Sequence, residues 1–203
     1  MLRLTRLVIG SAAVFLGGVL LAQAPKDYSD GYFPLKPKTK WTYKVQDQNI
    51  EVVVAGTEKV GTDECTKVDT LVNGKVVASE LYTVRVDGVY RVKVKDDKID
   101  PPVKVLQLPV KKGDSWDVKS KVGTQQVSGT FKLKDDKAKL KIMDKDVEAV
   151  HVEGAELDVA GTKTTVQMWF VKDKGIVKLS YKIQEAVSDL ELTKFDAPAG
   201  PTN

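Results

Sequence analysis

From about residue 40 to residue 195 the apolar side chains return at every second position, in short runs rich in Val, Thr and Tyr. A period of two places them on one face of a pleated strand and their polar neighbours on the other. After Ala24 no stretch keeps the spacing of an amphipathic helix. Strands are expected to start near Trp41, Ile50, Cys65, Lys75, Val89, Trp116, Gln126, Ala138, Val147, Thr164, Ile176 and Asp189. Asn73-Gly74, Asp87-Gly88 and the polar run Lys134-Asp135-Asp136-Lys137 read as turns. Short, evenly spaced strands predict an all-β fold, an antiparallel meander of about 10–12 strands forming a curved sheet, a sandwich or a barrel-like single domain.

The clearest hairpin is SELYTVRVDGVYRVKV (79–94). A two-residue turn at Asp87-Gly88 would set Val84 beside Arg91 and mix apolar with charged groups on one face. A three-residue loop, Val86-Asp87-Gly88, instead pairs Arg85 with Val89, Val84 with Tyr90 and Tyr82 with Val92. It makes one face wholly apolar and puts Gly88 at a positive φ, in the left-handed site of a bulge. QMWFVKDKGIVKLSY (167–181) aligns with residues 80–94, Gly175 falling on Gly88. The same register would oppose Trp169 to Leu179, Val171 to Val177 and Gln167 to Tyr181.

A second correspondence links FPLKPKTKW (33–41) to LPVKKGDSW (108–116), each a Pro-pinned lead-in to a strand headed by Trp. The offset is 75 residues there and 87 at the hairpins. One β domain, 25–195, is therefore expected to contain two pseudo-repeats, about 32–98 and 108–195. The segment 96–109, with Pro101, Pro102 and Pro109, reads as an extended linker. The tail 196–203 is expected to be disordered.

The N-terminus has a basic start, MLRLTR, then a run of about 16 apolar residues, shorter than the roughly 20 of a membrane span. Ala22-Gln23-Ala24 fits signal-peptidase cleavage after residue 24. An uncleaved anchor is the alternative. No Cys stands where a lipoprotein is acylated, since Cys65 is the only cysteine. The expected location is exported, periplasmic or extracellular, with the membrane met only through the signal segment. The full chain carries a net charge of +4; removing Arg3 and Arg6 leaves 30 basic against 28 acidic residues, or +2. Interleaved charges of this kind give no nucleic-acid face.

Tyr32-Phe33-Pro34-Leu35 with Trp41 and Tyr43, the Gly-Asp-Ser-Trp around Trp116, and Trp169-Phe170 with Gly175-Ile176-Val177-Lys178 resemble motifs of a TapB-like family of secreted bacterial β-proteins of unknown function. Its members often have Gly at the positions of Lys38 and, in the hairpin, near Lys174. The resemblance implies an exported all-β protein and carries no catalytic residues.

Candidate chemistry is sparse. With one histidine, His151, and one cysteine, neither a His/Cys zinc site nor a catalytic triad has its parts. No catalytic residue, metal or cofactor is assigned, and the chain is read as a non-enzyme. His151 alternates with Val150 and Val152 and is expected to face solvent. The aromatic set Trp41, Tyr43, Tyr82, Tyr90, Trp116, Trp169 and Tyr181 reads first as core and otherwise as the lining of an apolar ligand site. The leading expectation is a non-catalytic protein that binds an envelope protein or component. The alternatives are a carrier or sensor of a lipid or other apolar ligand, and a secreted hydrolase.

Overall fold

The computed structural model describes residues 31–198, so the expected signal segment and residues 199–203 lie outside it. Twelve strands form the described chain. They are β1 (Lys40–Val45), β2 (Gln48–Val60), β3 (Asp63–Val72), β4 (Lys75–Arg85), β5 (Gly88–Val94) and β6 (Asp97–Gln107). The second set is β7 (Ser115–Val122), β8 (Gln125–Ile142), β9 (Lys145–Val159), β10 (Thr162–Val171), β11 (Gly175–Ile183) and β12 (Ala186–Asp196). Each pairs antiparallel with the next, and β12 returns to β1, so the meander is a closed barrel. Asp196, the first residue of the expected tail, ends β12.

About 10–12 strands were expected, and two assignments differ. The run Lys134–Lys137 is not a turn. It is bulged out of one continuous strand, β8, whose register against β9 shifts between Leu133 and Ala138. The segment read as a linker is strand β6, paired along β5. Pro101 and Pro102 sit where the β5–β6 register shifts. They cannot donate to the other neighbour, and the β6–β7 ladder stops at Asp100↔Lys121.

Both hairpin registers also differ. At β4–β5 the loop is Val86-Asp87, with Arg85↔Gly88 and Tyr82↔Arg91. A bulge at Leu81/Tyr82 then restores the expected pairing, Leu81↔Lys93. Gly88 has the expected positive φ, 158°, but that is far from the left-handed site at about +57°, so it is no G1-bulge residue. It is required for closeness instead: a Cβ there would lie 2.5 Å from the Leu106 carbonyl oxygen. At β10–β11, Val171 pairs with Gly175 and Trp169 with Lys178. The inward residues are therefore Met168 and Phe170, both buried, rather than Trp169.

The turns after β1, β3, β5, β7, β9 and β11 lie at one end of the barrel, and those after the even strands at the other. The second end is packed shut by Leu133, Val152 and Phe170 among others. The lead-in before β1 adds Phe33, whose ring centroid lies 5.0 Å from Tyr82 and 6.4 Å from Phe170.

Strands β1–β6 and β7–β12 carry matched devices. Lys38 N–H donates to Val54, and Gly113 N–H donates to Leu133. Thr39 N–H donates to Lys36, and Asp114 N–H to Lys111. The hairpin of each half touches the lead-in of the other: Leu108 N–H donates to Asp87, and Asp173 N–H to Gly31. These pairs support the proposal of two related halves.

Lys38 and Gly113 occupy equivalent places, with φ of 71° and 92°. An L side chain is strained in that region. Lys38→Gly is expected to stabilise the protein by about 0.5–1 kcal/mol and Gly113→Ala to destabilise it by about 1 kcal/mol. Urea unfolding measures both, and a loss of stability in Lys38→Gly would contradict the equivalence.

Candidate functional site

Toward the odd-turn end the described side chains do not fill the interior. A cavity of about 560 Å³ opens there, walled mostly by aliphatic side chains such as Val52, Val68, Val105, Val127, Val166 and Leu179. Its floor is made by Phe33, Leu35, Phe131 and Met168. Near the mouth stand Ile50, Thr70, Val122, Gln125 and Ile183. Four of the exposed large apolar residues, Val76, Val77, Ile183 and Val187, flank turns at this end.

Two charged residues line the cavity, Glu80 on β4 and Arg91 on β5. Arg91 Nη2 donates to Glu80 Oε1, and the Tyr82 hydroxyl donates to Glu80 Oε2. Both contacts are close. Although the barrel encloses it, the Arg91 side chain keeps 31% of its surface accessible, because that surface faces the cavity. Burial opposes the charge on Arg91, but Tyr82 and Glu80 hold its pKa above the ordinary value. Burial, reinforced by Glu80, raises the Tyr82 phenol well above its usual range, and burial raises Tyr181 as well. These groups keep their protonation states across ordinary pH.

Four of the seven aromatic candidates line the cavity: Trp41, Tyr43, Tyr82 and Tyr181. Trp41 Nε1 donates to the Lys174 carbonyl at 2.5 Å and the Tyr43 hydroxyl to the Ile176 carbonyl at 2.7 Å. The second carbonyl lies where the β11–β12 ladder has stopped, so Tyr43 satisfies it in place of a strand.

The other three do not line it. Tyr90 lies outside, its hydroxyl donating to Asp87 at 2.6 Å and its ring covered by Arg85. Trp116 stacks on Phe131 with ring centroids 5.9 Å apart. Its Nε1 donates to the Lys104 carbonyl at 2.8 Å, bridging the seam beside Pro101 and Pro102. Trp169 lies on the outer face, stacked on His151 at 4.5 Å.

His151 is half-buried beneath that ring instead of standing free in solvent, and burial lowers its pKa. Its Nε2 lies 3.2 Å from Gln167 Oε1, so its partner is an amide and not an acid. Cys65 is fully buried with Leu81 and Val92 in a small separate cluster. Among the described residues no group of His, Cys, Asp and Glu is placed to hold a metal, and no helix is long and apolar enough to cross a membrane.

The pair Glu80/Arg91 escaped the sequence reading for a geometric reason. The expected register set Arg91 opposite Thr83, on the face away from Tyr82. The two-residue loop Val86-Asp87 sets it opposite Tyr82 and turns it inward, before the bulge at Leu81/Tyr82 restores the expected pairing. Glu80 was legible, since it alternates with Tyr82 on the same face.

No protein-family model matches the chain, and no curated protein matches it. Two solved structures share the fold. One is a candidate lipoprotein from Parabacteroides distasonis, with a TM-score of 0.55 and 10% identity over 83% of this chain and 99% of that one. The other is a candidate exported protein with a YmcC-like fold from Bacteroides fragilis, with a TM-score of 0.52 and 10% identity over 81% and 98% of the two chains. At such identity the likeness shows the fold. The TapB-like resemblance has no matching family model behind it.

Removing one partner of an enclosed ion pair strands the other. Arg91→Leu is expected to cost about 3 kcal/mol, whereas Glu80→Leu with Arg91→Leu should return to within about 1 kcal/mol of wild type. Denaturant unfolding of both variants checks this, and a double variant as unstable as the single one would contradict it.

Proposed function

We propose that this protein is an exported, non-catalytic binding protein for an amphipathic molecule with an acyl or similar chain, held in the open half of the barrel. The cavity carries the reading: its volume of about 560 Å³ falls within the range of about 300–1,000 Å³ usual for small-molecule sites. Aliphatic walls gain about 0.8 kcal/mol for each methylene they remove from water. The Glu80–Arg91–Tyr82 cluster on the wall would fix which way round the chain lies. The apolar residues beside the mouth offer a surface from which such a molecule could pass in or out.

Export is supported by the signal-like N-terminus and agrees with the two fold neighbours, a candidate lipoprotein and a candidate exported protein. Membership of the TapB-like family is part of the same proposal, resting on the lead-in and hairpin motifs. An envelope-protein partner was the leading expectation from the sequence. The cavity favours the ligand reading over it, because a sheet-face or sheet-edge docking module has no use for an open interior.

The test is displacement of an apolar naphthylamine dye from the purified protein by single-chain amphiphiles. Binding should be saturable. Val166→Trp, which fills the cavity from β10, should weaken it about tenfold or more while leaving the melting temperature within a few degrees. A folded Val166→Trp that binds like wild type would place the ligand elsewhere.

A further inference from the structure

Resting on the ligand reading above, we infer that the molecule in the cavity carries an uncharged polar head, such as an ester, amide or hydroxyl, recognised by Tyr181 facing the Glu80–Arg91 pair. Glu80 and Arg91 are the only charged residues lining the cavity among the described residues, and they compensate each other. Both Glu80 oxygens are engaged, one by Arg91 and one by the Tyr82 hydroxyl. A carboxylate entering the cavity would meet attraction from Arg91 and repulsion from Glu80 at similar range. It would lose its hydration for little net Coulomb return. An ammonium would meet the reverse pair and gain no more.

A neutral head avoids that loss and still finds hydrogen-bonding groups. The Tyr181 hydroxyl lines the cavity from β11, opposite the ion pair, and has no protein hydrogen-bond partner among the described residues. Tyr181 is half-buried and open to the cavity, and its raised pKa keeps it a donor. Arg91 Nε is buried without a protein partner. A phenol that faces the cavity with no protein acceptor is completed by a ligand or water that supplies one. Thr70, Thr164 and Gln125 continue the uncharged polar lining toward the mouth.

The experiment compares monomyristin, myristate and myristyltrimethylammonium in the same dye displacement, at a pH where myristate is ionised. The three share a chain and differ in the charge of the head. Monomyristin is expected to bind about tenfold tighter than either ion. Tyr181→Phe, which keeps the ring, should remove most of that advantage while leaving the two ions unchanged. Glu80→Gln, which uncovers the Arg91 charge, should raise myristate above monomyristin. Myristate binding wild type as tightly as monomyristin, or Tyr181→Phe keeping the full preference, would overturn the head-group assignment and leave the cavity reading standing. Failure of all three to displace the dye would overturn the cavity reading itself.

Discussion

The width of the barrel governs everything else in this structure. About eight strands enclose an interior that side chains can just fill, and each added strand widens it. Twelve strands closed by the β12–β1 ladder leave more space than their inward side chains occupy. One end solves this by importing material: the lead-in before β1 lays Phe33 and Leu35 inside, against Tyr82 and Phe170. At the other end no described segment enters, and the remaining space is the cavity.

Closure also forces the polar groups of the wall to find partners within the wall. Tyr43 and Trp41 supply donors to carbonyls near the β10–β11 turn. Trp116 does so at the β6–β7 seam. Glu80, Arg91 and Tyr82 form a cluster that leaves no net charge inside an apolar chamber. The aromatic residues thus divide between holding the barrel together and lining its interior, and the same side chain, as with Tyr43, can do both.

The all-β antiparallel class was legible because strand alternation survives in nearly every element. Closure into a barrel was one of three outcomes the pattern allowed, since alternation fixes which face is buried and not what covers it. The lead-in motif was legible for a mechanical reason: Lys38 and Gly113 mark the same left-handed backbone step. What alternation could not carry was register. The two-residue β4–β5 loop and the bulges at Trp169/Phe170 and within Leu133–Ala138 each move the pairing away from the expected register. One shift brings Arg91 inside and another leaves Trp169 outside. Strand β6 was hidden by Pro101 and Pro102, which read as a linker because they forbid a full ladder, and which tolerate a strand paired along one side.

The most direct test of an occupied interior is native mass spectrometry of the protein purified without detergent from the cells that export it. A discrete additional mass of several hundred daltons, released on denaturation and absent from Val166→Trp, is the expected result. A bare chain mass from such preparations, unchanged after incubation with monomyristin, would contradict the account.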